Sequence, residues 1–549
     1  MRKRAFITKA LICLLVAATQ PNAGCDTYPR QSNLHVDHYT FRVALSDSNN
    51  EIVGQTTVDL HFLTADTTEF ELDLIQKRPD GKGMSVSSVA SGGQRLRYEQ
   101  LHNRLRIFLA SPSKVSQAAE YSIAYHGIPA GGLLIGPNRY RDRSFDTNDW
   151  PDKARNWLPC IDHPSDKATD EMIVTAPAHY QVISNGRLVE QVDLPGHMRR
   201  TLWKESVPIA SWLYSLAAAP YAVQYLRDID GVPIETWVYP QERKIGFNAF
   251  ARFTIPIFDF YSSHIGPFSY EKLANVEANG TFGGMELASD IFYGYRPNVI
   301  TTIQGQQLIA HEIAHQWFGD SVTEDDWDDV WLSEGFATYF ALVYLKHADG
   351  HTAFLRGLDQ SRSFILKFSA KHPDYTIVHN NISDLRTLLT NQIYQKGAWT
   401  LHMLHDMLGD AVFWAGIREY YKQYRNRNAT TGDFERIMES ASHENLSWFF
   451  HEWLNEGAVL KIKGRWWYDA RAKQLEVELD QKQKGTLFRM PIPVGIYFAG
   501  SQSSPQIQPL EVKTWRNRFG ISLDHKPAAV VLDPNMSVLM QAKFAEARN

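Results

Sequence analysis

The sequence predicts a multidomain α+β protein: a β-rich first half, a mainly helical middle and a small β-sandwich at the end. Three observations predict this. Before about residue 224, and again after about 457, apolar and polar residues alternate in short runs, the period of half-buried strands. Between those limits apolar residues recur at spacings of three and four, the period of helices buried on one face. A chain of 549 residues also exceeds one ordinary core, which favours roughly three or four domains. With 44% apolar and only 21% charged residues, the composition is that of a folded chain rather than a disordered one.

Residues 1–24 read as a signal peptide, with Arg2, Lys3, Arg4 and Lys9 ahead of the apolar run Ala10 to Ala18. Cleavage after Ala18 and cleavage after Ala23 both fit. A third alternative makes Cys25 the acylated first residue of a lipoprotein, because Ala23-Gly24-Cys25 resembles the end of a lipobox, although Asn22 stands where Leu is usual. The expected location is therefore periplasmic or extracellular, with or without a lipid anchor. No run is long enough for a transmembrane span. Of the three cysteines, Cys13 lies in the leader, so Cys25 and Cys160 cannot form a disulfide framework. Losing the leader leaves 52 basic against 61 acidic residues, a net charge of −9 that argues against nucleic acid as a partner.

Residues 25–224 form the N-terminal β domain. Strands are expected at His38 to Val43, Thr56 to Phe62 and Ser122 to Tyr125, punctuated by turns at Pro79-Asp80-Gly81 and Ser91-Gly92-Gly93. The segment Asn156 to Thr169 reads as a rigid Pro-rich turn with no assignable chemistry.

Residues 225–456 form the catalytic domain, with helices expected around Gln306 to Phe318, Glu334 to His347 and Ala398 to Leu408. Its centre is His311-Glu312-Ile313-Ala314-His315. One helical turn separates the two histidines, so both imidazoles face one side while Glu312 lies about 100° around the axis. Such a pair also occurs on ordinary helix surfaces; Glu334, in Trp331-Leu332-Ser333-Glu334-Gly335, makes it a metal site. His311, His315 and Glu334 supply the three ligands, with an open fourth position, of one catalytic Zn2+ per chain. Glu312 is placed to take a proton from the attacking water as general base.

Paired glycines in Thr281-Phe282-Gly283-Gly284-Met285-Glu286 suggest a bulge, a turn, or a strand that another group approaches closely; Glu286 beside them is a candidate for binding a cationic group. Tyr394, at the start of a helix, either packs or donates a hydrogen bond to developing oxyanion charge. His402 and His405 on an apolar helix read as packing, and the run Glu324 to Asp329 lacks calcium-loop spacing and reads as a solvated loop. Residues 457–549 form the β-sandwich domain, with strands at Leu475 to Leu479 and Val494 to Phe498 and an end near Leu539.

Taken in order, Pro159-Cys160 to Thr169, Ile183-Ser184-Asn185-Gly186, Gly266-Pro267-Phe268, Gly283 to Glu286, His311 to Glu334, Tyr394 to Ala398 and Trp448 to Leu454 resemble the zinc aminopeptidases that include membrane alanyl aminopeptidase and leukotriene-A hydrolase. The resemblance implies a β-saddle N-terminal domain, a thermolysin-like catalytic domain and a β-sandwich. It makes His311, His315 and Glu334 the zinc ligands, Glu312 the base and Tyr394 the stabiliser of the tetrahedral intermediate. Glu286 would bind the free α-amine of a peptide substrate within a binding segment that includes Gly283, Gly284 and Met285. Asp149 would be a second amine contact, since Asn148-Asp149-Trp150 stands where many relatives carry a Gln and a Glu. Leu287 and Ser333 each replace an Asn usual in the family, which bears on side-chain preference and amine affinity. The chain's end at Asn549 leaves no room for the large helical domain of many relatives, and a more open site is expected. Two other readings remain: a zinc hydrolase of a non-peptide substrate, and a non-catalytic binding protein on the same fold.

Overall fold

The computed structural model describes residues 26–280, 283–294, 300–379, 382–499 and 505–547; the leader and Cys25 lie outside them. Alternation builds the first half. Ile52–Phe62 buries every second residue, including Ile52, Val58, Leu60 and Phe62, and Ala168–Pro177 does the same with Met172, Val174 and Ala176. These strands belong to an eight-stranded sheet in the order Arg187–Leu194, Met198–Ile209, Ala168–Pro177, Leu34–Ala44, Ile52–Phe62, Ala118–Ile128, Gly83–Ser91 and Gln94–Arg95. Only the pair Leu34–Ala44 with Ala168–Pro177 is parallel. A second sheet of four strands, Gln181–Ser184, Leu216–Ala219, Arg143–Asn148 and Gly132–Pro137, leads towards the middle region.

The middle region opens on a five-stranded sheet, ordered Ala222–Ile229, Val232–Val238, Leu273–Glu277, Asp290–Tyr293 and Gly284–Leu287. Ala222–Ile229 pairs with Val232–Val238, so this sheet begins just ahead of residue 225. Helix α1 (Arg243–His264) packs Phe250, Phe253, Ile257 and Tyr261 inward. Helix α2 (Ile303–His315) starts where the Thr302 hydroxyl accepts the Gly305 amide at 3.1 Å, an N-cap. It ends at His315, three residues short of Phe318, because the chain turns at Gly319, which has φ 121°. Helix α3 (Trp331–Asp349) buries every residue from Trp331 to Leu345 and is the central helix, which is why its sequence is apolar almost all round. Helices α4 (His351–Ser369) and α5 (Gly397–Leu408) flank it.

The final region is a two-sheet sandwich of four and three strands. Its last strand, Met540–Glu546, runs past the expected end at Leu539 and pairs parallel with Leu460–Asp469. No helix among the described residues is long and apolar enough to cross a membrane.

Two sequence readings change. The acidic run is not a solvated loop: Glu324, Asp326 and Asp328 are buried. Asp326 accepts the Asp26 amide at 3.0 Å and pairs with Arg30 at 2.9 Å, while Val322–Glu324 pairs with Arg427–Ala429. The segment after Asn156 is a docking element rather than a bare turn. Arg155 binds Asp162 at 2.8 Å, His163 bonds Asp26 at 2.8 Å, and Lys167 donates to Asp320 O, Ser321 O and Thr323 Oγ1 at 3.0, 2.9 and 2.8 Å. Three acceptors match the three donors of an ammonium, which is what lets that lysine be buried between regions.

Candidate metal centre and cleft

Helix α2 presents His311 and His315 one turn apart, and the first turn of α3 presents Glu334 opposite them. The Nε2 atoms of the two histidines lie 3.0 Å apart, and each is 3.3 Å from Glu334 Oε2. Three ligand atoms held at about 2.0–2.1 Å around a tetrahedral zinc ion stand about 3.3 Å from one another, so the triangle has the right size. Its chemistry fits too, since Glu334 Oε2 is buried without a hydrogen-bond donor. Two imidazole nitrogens and a carboxylate oxygen converging on one point need a cation between them. The other ring nitrogen of His315 faces Phe318 O at 3.2 Å and Ser333 Oγ at 3.1 Å, which fixes the tautomer that leaves Nε2 for metal. Ser333, a departure from the family pattern, is thus the outer partner of a ligand.

Electrostatics agree. Burial works to raise the Glu334 carboxyl, but the two imidazoles 3.3 Å from it prevail and bring it down to about 2. Burial works to lower His315, yet the charges of Glu286, Glu334 and Glu312 hold it up at about 10; a zinc ion takes over the role of that proton.

Glu312 and Glu286 flank the triangle. Oxygens of both lie within 4.8 Å of a His315 ring nitrogen and of each other. Burial first, then repulsion from Glu286, pushes the Glu312 carboxyl well above its ordinary range. Glu312 can sit there because the residue across from it is Gly284: a Cβ at that position would overlap the Glu312 carboxyl group. This is the close approach that the paired glycines suggested. Gly283, with φ 83°, also needs no side chain, and both glycines line the cleft. Glu286 shares the strand Gly284–Leu287, the edge strand of its sheet, and points to the cleft on the same face as Gly284.

Tyr394 lies in a π-helical turn, Gln392–Lys396, that runs into α5. Its ring stacks on His311 at 6.1 Å between centroids, and its hydroxyl lies in the same cleft as Glu334. Burial, then the charge of Glu334, lifts its pKa well above 10, so it stays a donor at any working pH. The cavity, about 500 Å³, is completed by Gln304, Gln307, Leu308, Thr338, Ala341 and Gln395.

Eight of the ten expected site residues meet here; two do not. Met285 alternates to the far face and packs in the core, 7% exposed. Asp149 is wholly buried, and both of its oxygens face the Trp157 indole N–H at 3.0 and 3.3 Å. Burial drives its carboxyl well above its ordinary range, and it does not line the cleft. The expectation of a second amine contact at Asp149 is therefore corrected. Its neighbour Asn148 reaches towards the cleft segment instead, donating to Gly280 O at 3.5 Å. His402 and His405 are packing residues, as expected, bonding Met536 O and the Tyr339 hydroxyl. Sequence reasoning passed over Gln316, which is buried beside His315 and ties α2 to the strand of Glu286. Spacing carries no signal for such a role.

Comparison with known proteins places the geometry in context. Residues 35–213 match the Peptidase M1 N-terminal domain and residues 253–453 the Peptidase family M1 domain. The glutamyl aminopeptidase of Bitis rhinoceros is 29% identical over 333 residues, covering 58% of this chain and 35% of that protein. The probable aminopeptidase 1 of Sulfurisphaera tokodaii is 27% identical over 400 residues, covering 69% and 49%. The matched region thus spans about a third to a half of these curated relatives. Among solved structures, the M1 zinc metallopeptidase from Deinococcus radiodurans aligns with a TM-score of 0.66 at 24% identity, covering 80% of this chain and 96% of that one. Legionella pneumophila aminopeptidase A in complex with aspartic acid aligns at 0.79 and 18% identity, covering 95% and 60%. At these identities the two structures show the shared fold.

Proposed function

We propose, from the premise that this chain belongs to peptidase family M1, that it is a zinc-dependent aminopeptidase that hydrolyses the first peptide bond of chains with a free N-terminus. The observation that carries the reading is the pairing of the His311, His315, Glu334 triangle with Glu286, a carboxylate 6% exposed that faces the same cleft. Bound zinc supplies Lewis acidity to the water and to the scissile carbonyl. Glu312 takes the proton of the attacking water and passes it to the departing amine; burial beside Glu286 raises its basicity towards that task. The Tyr394 hydroxyl donates to the oxygen that gains charge in the tetrahedral intermediate. Glu286 holds the substrate ammonium and measures the distance from the chain end, so that the first peptide bond is the one presented.

The test is a panel of amino-acid amides and peptides, free and N-acetylated, with and without a zinc chelator. Free-amine substrates should turn over and lose activity with chelator, and acetylated ones should be very poor. Equal rates on both would instead support a zinc hydrolase of another substrate, and no turnover with zinc bound would support a binding protein. Export to the periplasm or outside, with Cys25 as an anchor point, is likewise a proposal, supported by the basic and apolar leader. Mass measurement of the exported chain's first peptide distinguishes cleavage after Ala18 or Ala23 from an acylated Cys25.

A further inference from the structure

The strand that carries Glu286 is a sheet edge with one ladder partner, Asp290–Tyr293, to which the turn at Ala288-Ser289 joins it. An edge strand with one neighbour is poorly fixed by its own hydrogen bonds. A carboxylate that must stand at a set distance from a zinc ion needs more support. Two buried amides supply it from opposite sides.

From the zinc helix comes Gln316, fully buried. Its Nε2 donates to Leu287 O at 3.2 Å and to Asp320 Oδ2 at 2.6 Å, and its Oε1 accepts the Ser289 amide at 2.9 Å. Gln316 follows Glu312 by one helical turn, so the face of α2 that rests Glu312 against Gly284 also rests Gln316 against the turn. From the N-terminal domain comes Asn185, 1% exposed, in the Ile183 to Gly186 segment to which no role had been attached. Its Nδ2 donates to Ala288 O at 2.6 Å and Leu213 O at 2.9 Å, while its Oδ1 accepts the Ser215 amide at 2.7 Å. The adjoining Gly186 amide donates to Ser289 Oγ at 2.8 Å. The backbone groups of 287, 288 and 289 thus find partners in both regions, besides the Ala274 amide, which donates to Ser289 O at 2.9 Å.

We infer that Gln316 and Asn185 are positioning residues that clamp the Leu287–Asp290 turn between the zinc helix and the N-terminal domain, and so set where Glu286 stands relative to the zinc ligands. Neither lines the cleft. The N-terminal domain then acts as one jaw of the device that measures the chain end. This inference rests on the aminopeptidase reading for its purpose, and on the hydrogen bonds for its mechanism.

The experiment compares wild type with Gln316→Met, which keeps the volume and removes all three hydrogen bonds, and with Asn185→Ala. Gln316→Glu, which keeps the acceptor for the Ser289 amide but loses the donor to Leu287 O and Asp320 Oδ2, serves as the partial variant, and Ser289→Ala serves as the milder one should either of the first two fail to fold. For each, zinc content, kcat and KM on free-amine and acetylated substrates, and hydrogen exchange of residues 284–293 are measured. The expected result is one zinc per chain, a KM for free-amine substrates raised about tenfold, the scale of one lost hydrogen bond, and little change in kcat or in the rate on acetylated substrates. Residues 287–290 should exchange faster, with Gln316→Glu intermediate. A selective wild type whose variants keep their KM and their exchange protection, or lose kcat alone, overturns the clamp. A wild type indifferent to acetylation instead removes the aminopeptidase reading and the purpose of the clamp with it, while exchange still reports whether the two amides hold the turn.

Discussion

Replacing Gly284 by Ala tests the geometry of the base directly. The added Cβ would overlap the carboxyl carbon and Oε1 of Glu312, and Gly284 itself has ordinary backbone angles, so the substitution acts through space and not through strain. Ordinary contact requires Glu312 to retreat by about 1 Å, a misplacement that can cost on the order of 10²-fold in rate. Gly284 contacts none of the three ligand side chains in this way, so zinc should stay. The assay is kcat on an amino-acid amide at saturating substrate, with zinc content and thermal midpoint measured on the same preparation. A roughly hundredfold lower kcat in a zinc-replete, folded Gly284→Ala protein is expected. Wild-type kcat would refute the reasoning, because it would mean that Glu312 reaches the water from somewhere else.

Glu312→Gln should retain zinc and abolish turnover, since the ligands remain while the proton acceptor is gone; metal analysis and rate on one sample check it, and a zinc-replete active protein would sink the assignment. Tyr394→Phe should lower kcat with little change in KM, by about 2.7–4 kcal/mol if the hydroxyl is an oxyanion donor; a rise in KM alone would make it a binding residue. Asp146 supplies a pH test away from the site. Burial lifts its carboxyl from 3.8 to about 7 against hydrogen bonds from Ser144 and Tyr221. The folded protein therefore keeps a proton that the unfolded chain has released between about pH 4 and 7, and stability falls as pH rises through that window, by up to about 4 kcal/mol. Asp146→Asn should flatten this fall, and denaturant titrations at pH 4.5 and 7 that show the same slope for both proteins would contradict it.

The zinc site was legible because its geometry is local. His311, Glu312 and His315 are set by one helical turn, and Gly284 by the need for space beside a neighbouring element. The sheet regions were legible from period two; the last strand, Met540–Glu546, runs past the expected end because its parallel partner, Leu460–Asp469, lies far back along the chain. What failed depends on partners that spacing along the chain does not reveal. Asp149 reads as a free carboxylate until Trp157 and Gly132 close over it. The acidic run reads as solvated until Asp26 and Arg30 reach Asp326 across some 300 positions. Polarity in a sequence reports that a group needs partners; it does not say whether they are water or protein.

On the proposed aminopeptidase reading, the cleft's charge accounts for selectivity towards a chain end. Glu286, Glu312 and Glu334 bring three carboxylates into a space where each is at most 6% exposed. A divalent zinc ion would balance two charges; burial raises the carboxyls of Glu286 and Glu312, and a cation placed beside them is what would hold the third ionised. In water an ammonium is well hydrated, so it gains little from a lone carboxylate; in a buried cleft the same pairing relieves a desolvated charge that already exists, and the substrate's α-amine is the cation that arrives with the scissile bond attached. An interior residue of a peptide offers no such charge at that position. Exopeptidase selectivity on this reading follows from leaving the cleft one cation short, with Gln316 and Asn185 holding the unbalanced carboxylate at the distance where only the first peptide bond reaches the metal.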